Sequence, residues 1–352
     1  MILNWMKAVA GPNITIRQSL ELMDSASLGV LLIADEENKL LGLVTDGDIR
    51  RGLLKGLGLS HKIDQVMNRS PIVADFGATR EQLASTMSNH QILCIPLVKE
   101  SKLCGLETLV HNSEVELINN PVFLMAGGFG KRLSPLTDNC PKPLLKIGNK
   151  PILELIIERF IESGFHNFYI SLHYLPDKII EHFGDGSKWN ISIQYVLEEN
   201  PLGTGGALSL LPNNLSALPL IMMNGDILTT MNFRRLLEFH NKENCVGTMC
   251  VREYNYEIPY GVVAGDGKKI VSMKEKPTQT FFVNSGIYVI NSEVREKAVK
   301  NNYIDMPTLL EKCMGDGKNI NMFPIYEYWL DIGKHEDFIK ANRDIAQLQE
   351  NN

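Results

Sequence analysis

The 352-residue sequence has six cysteines, at 94, 104, 140, 245, 250 and 313, and no CxxC pair among them. Such scattered thiols offer neither a zinc-ribbon spacing nor a disulfide framework, and they fit a reducing compartment. The closest two, Cys245 and Cys250, sit in the apolar run CVGTMCV and read as core. No run of ~18 apolar residues occurs, which leaves no candidate membrane span. The first residues, MILNWMKAVAGP, have Lys7 inside the apolar stretch and Pro12 soon after, too broken for a signal peptide. A cytoplasmic protein without membrane contact is expected. A basic excess is also missing: Lys plus Arg number 35 against 41 Asp plus Glu, a net charge of −6. Bulk charge therefore argues against nucleic acid, and any anionic ligand needs a local basic pocket. The eight histidines fall into no metal-ligand spacing, and no Ser-His-Asp order suggests a hydrolase.

What is present is ordinary globular composition, 44% apolar and 22% charged, in a chain long enough for two domains. Residues 1–118 repeat internally, with copies at about 1–58 and 61–115. Arg17, Leu20, Ser25, Lys39, Leu40, Gly42, Leu43 and Thr45 recur as Arg80, Leu83, Ser88, Lys102, Leu103, Gly105, Leu106 and Thr108. Each copy reads as a helix (ITIRQSLELM; TREQLASTM), an apolar strand, a polar turn and a second strand. One copy alone could bury little surface, so the two are expected to pack together. The polar stretch NSEVELINNP, 112–121, reads as a linker, and 119–352 as a second domain.

From Val122 the pattern alternates strands (VFLMA, FYISL, PLIMMN, GTMCV) with helical stretches such as PILELIIERFIESG. Pro151 is expected at the first helical position and Gly164 just past the end. Alternation of this kind predicts an α/β fold with an open, Rossmann-like, mostly parallel sheet and ligands at the strand C-termini.

The strongest chemical signal follows the first of these strands: LMAGGFGKRLSPLTDNCPKPLLKIGNKPIL, residues 124–153. Glycines there let backbone N–H groups approach a polyphosphate, with Lys131, Arg132 and Lys142 adding charge. It is no Walker A loop, because Arg132 follows Gly130-Lys131. Nor is it a dinucleotide fingerprint, because Leu133 stands where the third glycine belongs. Further along come EENPLGTGG (198–206), Asp226 in LIMMNGDILT beyond a buried strand, PYGVV (259–263), EKP (275–277), VNSGIYV (283–289) and Asp331 in EYWLDIGKHEDFIKAN.

The ordered set GG-x-G-x-R-L-x-PLT with PKPLL and these later blocks resembles the signature of sugar-1-phosphate nucleotidyltransferases, from 122 to the end of the chain. That resemblance implies a GT-A-like nucleotidyltransferase fold. It implies that Leu124, Ala126, Gly127, Gly128, Arg132, Glu198, Gly203 and Thr204 hold the nucleotide, with Arg132 and Lys142 at the reacting phosphates. Gly261, Glu275, Lys276 and Asn284 would hold the sugar phosphate. Asp226 and Asp331 would be the carboxylates for Mg²⁺. Residues 1–118 resemble a CBS-domain pair, a module whose strand-end Thr and Asp hold a nucleotide ribose; Thr45 and Asp46 in TDGDIRR would be those residues, with a regulatory nucleotide as the ligand. An N-capped helix start accounts for the same residues. Paired modules of this kind associate, so a homo-oligomer is expected.

The fusion, together with FGDGS, DMPTLLEK and YEYWLDIGKHEDF, resembles the glucosamine-1-phosphate guanylyltransferases of bacterial legionaminic-acid biosynthesis, implying GTP and glucosamine 1-phosphate. Mannose- or heptose-1-phosphate guanylyltransferases and uridylyl- or thymidylyltransferases are the alternatives within the class. A non-catalytic nucleotide-sugar sensor is the alternative outside it. Glu198 is expected to read the base: one ionised carboxylate can accept from both the ring N–H and the amine of guanine.

Overall fold

The computed structural model describes residues 5–26, 28–90, 92–100, 102–108 and 117–350. It divides into two compact units, Met1–Glu114 and Val115–Asn352. Residues 109–116, with the end of the second repeat and the first half of the expected linker, lie outside the described residues.

In the first unit each repeat builds a three-stranded sheet and helices. Val9–Ala10 runs parallel to Val30–Ala34, which pairs antiparallel with Leu40–Thr45. Ala74–Asp75, Cys94–Lys99 and Lys102–Thr108 repeat that arrangement. Both hairpins carry a bulge at the matching place, Ile33/Ala34 and Leu97/Val98. The copies share one core, in which Val30, Leu32 and Leu43 cluster with Cys94, Leu103 and Leu106. Asn38 seals the join: its Nδ2 donates to the Leu103 carbonyl at 2.8 Å, and its own carbonyl accepts from Leu103 N at 2.9 Å. Neither copy could bury this surface alone. The two-residue strands at 9–10 and 74–75 are too short for periodicity to reveal.

The second unit is a seven-stranded sheet in the order Ser192–Leu197, Asn167–Leu172, Val122–Met125, Leu220–Asn224, Thr278–Ile290, Gly247–Glu257, Ile320–Ile325. All run one way except Thr278–Ile290, so the sheet is mixed but mostly parallel. Period-two alternation sends the side chains into two cores. Leu124, Ile221, Met223, Ile287 and Val289 face one, with the helices Ile152–Glu162 and Phe233–Lys242. Phe123, Met222, Tyr288 and Ile290 face the other, with the helix Met306–Gly315. Both sheet faces are thus buried, as near-continuous apolar strands require. Pro151 is the N-cap of its helix rather than the first helical residue, and Gly164 lies beyond the end at φ +98°.

Two strands outrun the sheet. The outer ends of Gly247–Glu257 and Thr278–Ile290 remain paired and carry a hairpin, Val262–Asp266 with Lys269–Lys274. From 254 to 282 this arm is exposed, apart from half-buried Ile258 and Pro277.

Candidate active site

Four parallel strands, ending at Met125, Leu172, Leu197 and Asn224, deliver their following residues to the same edge of the sheet. A cavity of about 280 Å³ opens there. Of the expected nucleotide residues, Ala126, Gly127, Gly128, Lys142, Glu198, Gly203, Thr204 and Asp226 line it, joined by Phe129, His173, Asn224 and Asp305. Leu124 does not: its side chain is fully buried in the core, because it sits mid-strand on a covered face. Only its backbone could serve a ligand, and that backbone is paired between Ile170 and Met223.

The glycine loop is shaped by what surrounds it. Gly130 has φ +63°, and a Cβ there would lie 2.8 Å from Thr137 Cγ2. Buried Thr137 in turn donates its hydroxyl to the Gly130 carbonyl at 2.9 Å, which gives the PLT of the motif a local task. A Cβ on Gly127 would sit 3.2 Å from His173 and 3.3 Å from Glu198 Oε1, whereas one on Gly128 would meet nothing within 4 Å. Among the described residues no contact explains that second glycine, which borders the cavity.

Asp226 and Asp331, more than a hundred residues apart, are brought together by a two-stranded antiparallel ribbon. Ile227–Thr229 pairs with Trp329–Asp331, with Ile227 opposite Asp331, and Ile332 N donates to the Asp226 carbonyl at 3.0 Å. Lys142 Nζ lies 2.5 Å from Asp226 Oδ2, the side chains being 11% and 29% exposed. The second oxygen, Asp226 Oδ1, is buried without a hydrogen-bond partner, as is Asn224 Oδ1. Burial, and then the neighbouring Asp226 charge, raise the Asp331 carboxyl from its ordinary value, while Lys142 and Arg132 oppose the rise. Arg132 is exposed rather than part of the cavity lining. Its Nη1, Asp331 Oδ1 and Asp337 Oδ2 all lie 3.7 Å from where a Cβ on Gly333 would stand.

An orphaned carboxylate oxygen beside a second carboxylate fits Mg²⁺, which takes one or two protein carboxylates and completes its shell with phosphate and water. Among the described residues no cluster of three or more His, Cys, Asp or Glu side chains offers a fuller cage.

Glu198 lines the cavity and is also engaged within the protein. It is 8% exposed. Its Oε1 accepts from the Ser171 hydroxyl and its Oε2 from Leu202 N at 2.9 Å, so the carboxylate ties the 198–202 loop to the neighbouring strand. The glycines after it have a similar structural reason. A Cβ on Gly203 or Gly206 would come within 2.7 or 2.5 Å of the Ile304 or Asn302 carbonyl, and Gly205 N and Gly206 N donate to Ile304 O. Thr204 also serves this joint: its N donates to Asp305 Oδ1 at 3.3 Å and its Oγ1 accepts from Met306 N at 2.9 Å. The segment 302–306 therefore braces the glycines behind the cavity, which Asp305 itself lines. In the sequence only the DMP motif marks it.

The expected sugar-phosphate residues are not gathered into this cavity. Gly261, Glu275 and Lys276 are exposed on the arm, where a Cβ on Gly261 would touch Glu275 Oε2 at 2.9 Å and Lys276 has φ +42°. Asn284 has both ends of its amide engaged, donating to Tyr288 Oη at 2.6 Å and accepting from Gly286 N at 2.9 Å. In the first unit, Thr45 and Asp46 are likewise engaged locally. Thr45 N-caps the helix Asp46–Leu54 in a capping box with Asp48, and Asp46 receives a two-pronged contact from buried Arg50 at 2.7 and 3.1 Å. The helix-start reading accounts for these contacts.

A family model described as Nucleotidyl transferase matches residues 122–348, and one for the CBS domain matches 8–55 and 63–106. The mannose-1-phosphate guanyltransferase of Aspergillus fumigatus is 31% identical over 225 residues, covering 61% of each chain. That of Schizosaccharomyces pombe is 31% identical over 228 residues, again 61% of each. The chain thus spans about 61% of the length of these curated relatives. A solved structure of HddC from Yersinia pseudotuberculosis complexed with GMP-PN is 25% identical with a TM-score of 0.51, covering 64% of this chain and 99% of that one. With the glycine loop, the paired aspartates and most of the second unit inside the matched region, the chain belongs to the nucleotidyl transferase family, with a CBS-domain pair preceding the matched residues.

Proposed function

We propose that the chain is a guanylyltransferase that joins GTP to a sugar 1-phosphate and releases pyrophosphate. The observation that carries this reading is the meeting of Lys142, Asp226 and Asp331 at the strand ends beside a glycine loop. A phosphate oxygen of the sugar 1-phosphate attacks the α-phosphorus of GTP. The new P–O bond forms as the bond to the bridging β-phosphate oxygen breaks, and pyrophosphate leaves with the electron pair. The sugar phosphate is already ionised near neutral pH, so no general base is required; positioning and charge suffice. Lys142 and Arg132 offset the charge on the α-phosphate and the departing pyrophosphate. Asp226 and Asp331 would hold Mg²⁺, which when bound supplies further positive charge to the phosphate oxygens. Glu275 and Lys276 on the arm would meet the sugar hydroxyls and phosphate.

For the sugar, the named relatives support mannose 1-phosphate, which this reading prefers. Glucosamine 1-phosphate, and with it a place in legionaminic-acid synthesis, rests on the CBS fusion and the motifs FGDGS and DMPTLLEK. In the same reading the CBS pair serves regulation by a nucleotide and self-association, since the residues assigned to transfer all lie beyond 114. Pyrophosphate release over a grid of GTP, ATP, UTP and dTTP with mannose, glucosamine, glucose and heptose 1-phosphates tests all of this. GTP with one hexose phosphate should dominate, and EDTA should abolish it. Absence of release in every combination with Mg²⁺, or undiminished turnover by folded Asp226→Asn, would overturn the assignment.

A further inference from the structure

Each carboxylate oxygen of Glu198 already accepts one hydrogen bond within the protein, and the ring beside it carries a further acceptor at the cavity wall. We propose that His173 reads the nucleotide by accepting, at Nε2, a hydrogen bond from the N–H edge of guanine. The inference rests on the GTP reading above and deepens it.

His173 is the first residue past the strand Asn167–Leu172, at the cavity wall beside Gly127, Phe129 and Glu198. Its Nδ1 lies 2.8 Å from the Glu198 carbonyl oxygen. A carbonyl can only accept, so Nδ1 carries the hydrogen, and in the neutral ring the lone pair is left on Nε2. The backbone of Glu198 thereby fixes the tautomer, while its carboxylate accepts from Ser171 and Leu202 N. Nε2 has no hydrogen-bond partner among the described residues, and it is not among the polar atoms shut away from solvent. It is an acceptor open to a ligand.

The ring is also held still. Phe129, itself 41% exposed, meets it edge-on with centroids 5.2 Å apart and planes at 84°. The same loop approaches the base of the side chain, with 3.2 Å between His173 Cβ and the position of a Cβ on Gly127. A fixed acceptor beside an aromatic edge suits a purine whose edge donates. Guanine presents a ring N–H and an exocyclic amine side by side. Adenine turns a ring-nitrogen lone pair to the same place, where it would face the lone pair of Nε2. Uracil and thymine offer one N–H flanked by carbonyl oxygens. A site whose polar group is left unpaired by the wrong base discriminates through that unpaired group.

Two variants separate reading from scaffolding. His173→Asn keeps an amide donor where Nδ1 stands and has nothing at Nε2. His173→Phe keeps the ring and its contacts and loses both nitrogens. Wild type and variants are compared in kcat/KM with GTP, ITP, ATP and UTP at saturating sugar phosphate, with Tm recorded for each. Both variants should lose at least ~10-fold of the GTP/ATP ratio through a higher KM for GTP, with the KM for ATP, which turns a lone pair to the same place, changing far less. Equal losses for all four nucleotides would show that His173 only supports the 198–202 loop, and would overturn the proposal while leaving the guanylyltransferase reading intact. A wild type that prefers UTP or dTTP would overturn the guanine reading itself, and is seen before any variant is made. Should His173→Phe fail to fold, the His173→Asn ratios decide alone.

Discussion

Removing the Lys142 charge should damage stability and turnover by separable amounts. In Lys142→Met the long apolar stem remains and the ammonium 2.5 Å from Asp226 Oδ2 is lost. Asp226 then keeps a carboxylate with one oxygen already buried and unpartnered, next to Asp331, whose own carboxyl is raised by burial and by the Asp226 charge. Breaking a fully buried ion pair from one side costs about 3–5 kcal/mol. Asp226 retains 29% exposure, so water recovers part of this, and about 2 kcal/mol is expected. In a unit of this size that lowers Tm by roughly 4–8 °C. The double variant Lys142→Met/Asp226→Asn removes the orphaned charge as well and should regain most of that loss. Turnover should not follow: one preorganised charge at the reacting phosphates is worth about 10²–10³-fold, and the double variant lacks both partners. Scanning fluorimetry in EDTA measures the first effect and pyrophosphate release in Mg²⁺ the second. Additive Tm losses in the double variant would refute the coupling, and Lys142→Met turning over within a few-fold of wild type would refute the catalytic role.

Three further outcomes follow from single contacts. Gly130→Ala must place a Cβ at φ +63° and 2.8 Å from Thr137 Cγ2, so it should cost about 1–3 kcal/mol and raise KM for nucleotide; an unchanged Tm would show that the loop relaxes freely. Glu198→Gln puts an amide N–H₂ against one of two donors, the Ser171 hydroxyl or Leu202 N. It should lower stability by about 1–3 kcal/mol and raise KM for every nucleotide alike, whereas a change in the GTP/UTP ratio would restore this side chain as a base reader. His240 is buried between Thr248 Oγ1 at 2.9 Å and Asn291 Oδ1 at 3.0 Å, and burial holds its pKa below the ordinary value. The folded state therefore favours the neutral ring. Its contribution is complete above the unfolded histidine range near ~6.5 and is lost as pH falls through the folded value. The Tm of wild type should drop across that acid limb more steeply than the Tm of His240→Gln; parallel curves would remove His240 from the account.

The sequence alone determined the features that repeat locally. The offset copies in 1–118 predicted twin sheets because hydrophobic period and turn position are set within a few residues of each other, and the bulges at Ile33/Ala34 and Leu97/Val98 fall at matching places. The buried strands at 122–125 and 220–224 and the helix at 152–162 were legible for the same reason. So was the glycine loop, whose spacing reflects a backbone path that few residues can follow. Tertiary structure alone decided which distant residues meet. Asp226 reaches Asp331 only because Ile227–Thr229 finds Trp329–Asp331, a pairing of two three-residue strands with no periodicity to read. Leu124 looked available at a motif's edge, yet its side chain packs into the core on a covered face of the sheet. Glu198 was legible as an acceptor, and only the fold shows that Ser171 and Leu202 N each engage one of its oxygens. Gly203 and Thr204 of GTGG line the cavity as expected, and only the fold shows that the carbonyls of Asn302 and Ile304 also press against these glycines. At Glu198 and along GTGG the sequence supplied groups a ligand could meet, and only the fold brought up the protein partners that also engage them. Hydrogen-bond satisfaction and close packing are properties of the assembled neighbourhood, and so His173, which no motif marked, is left with the free lone pair.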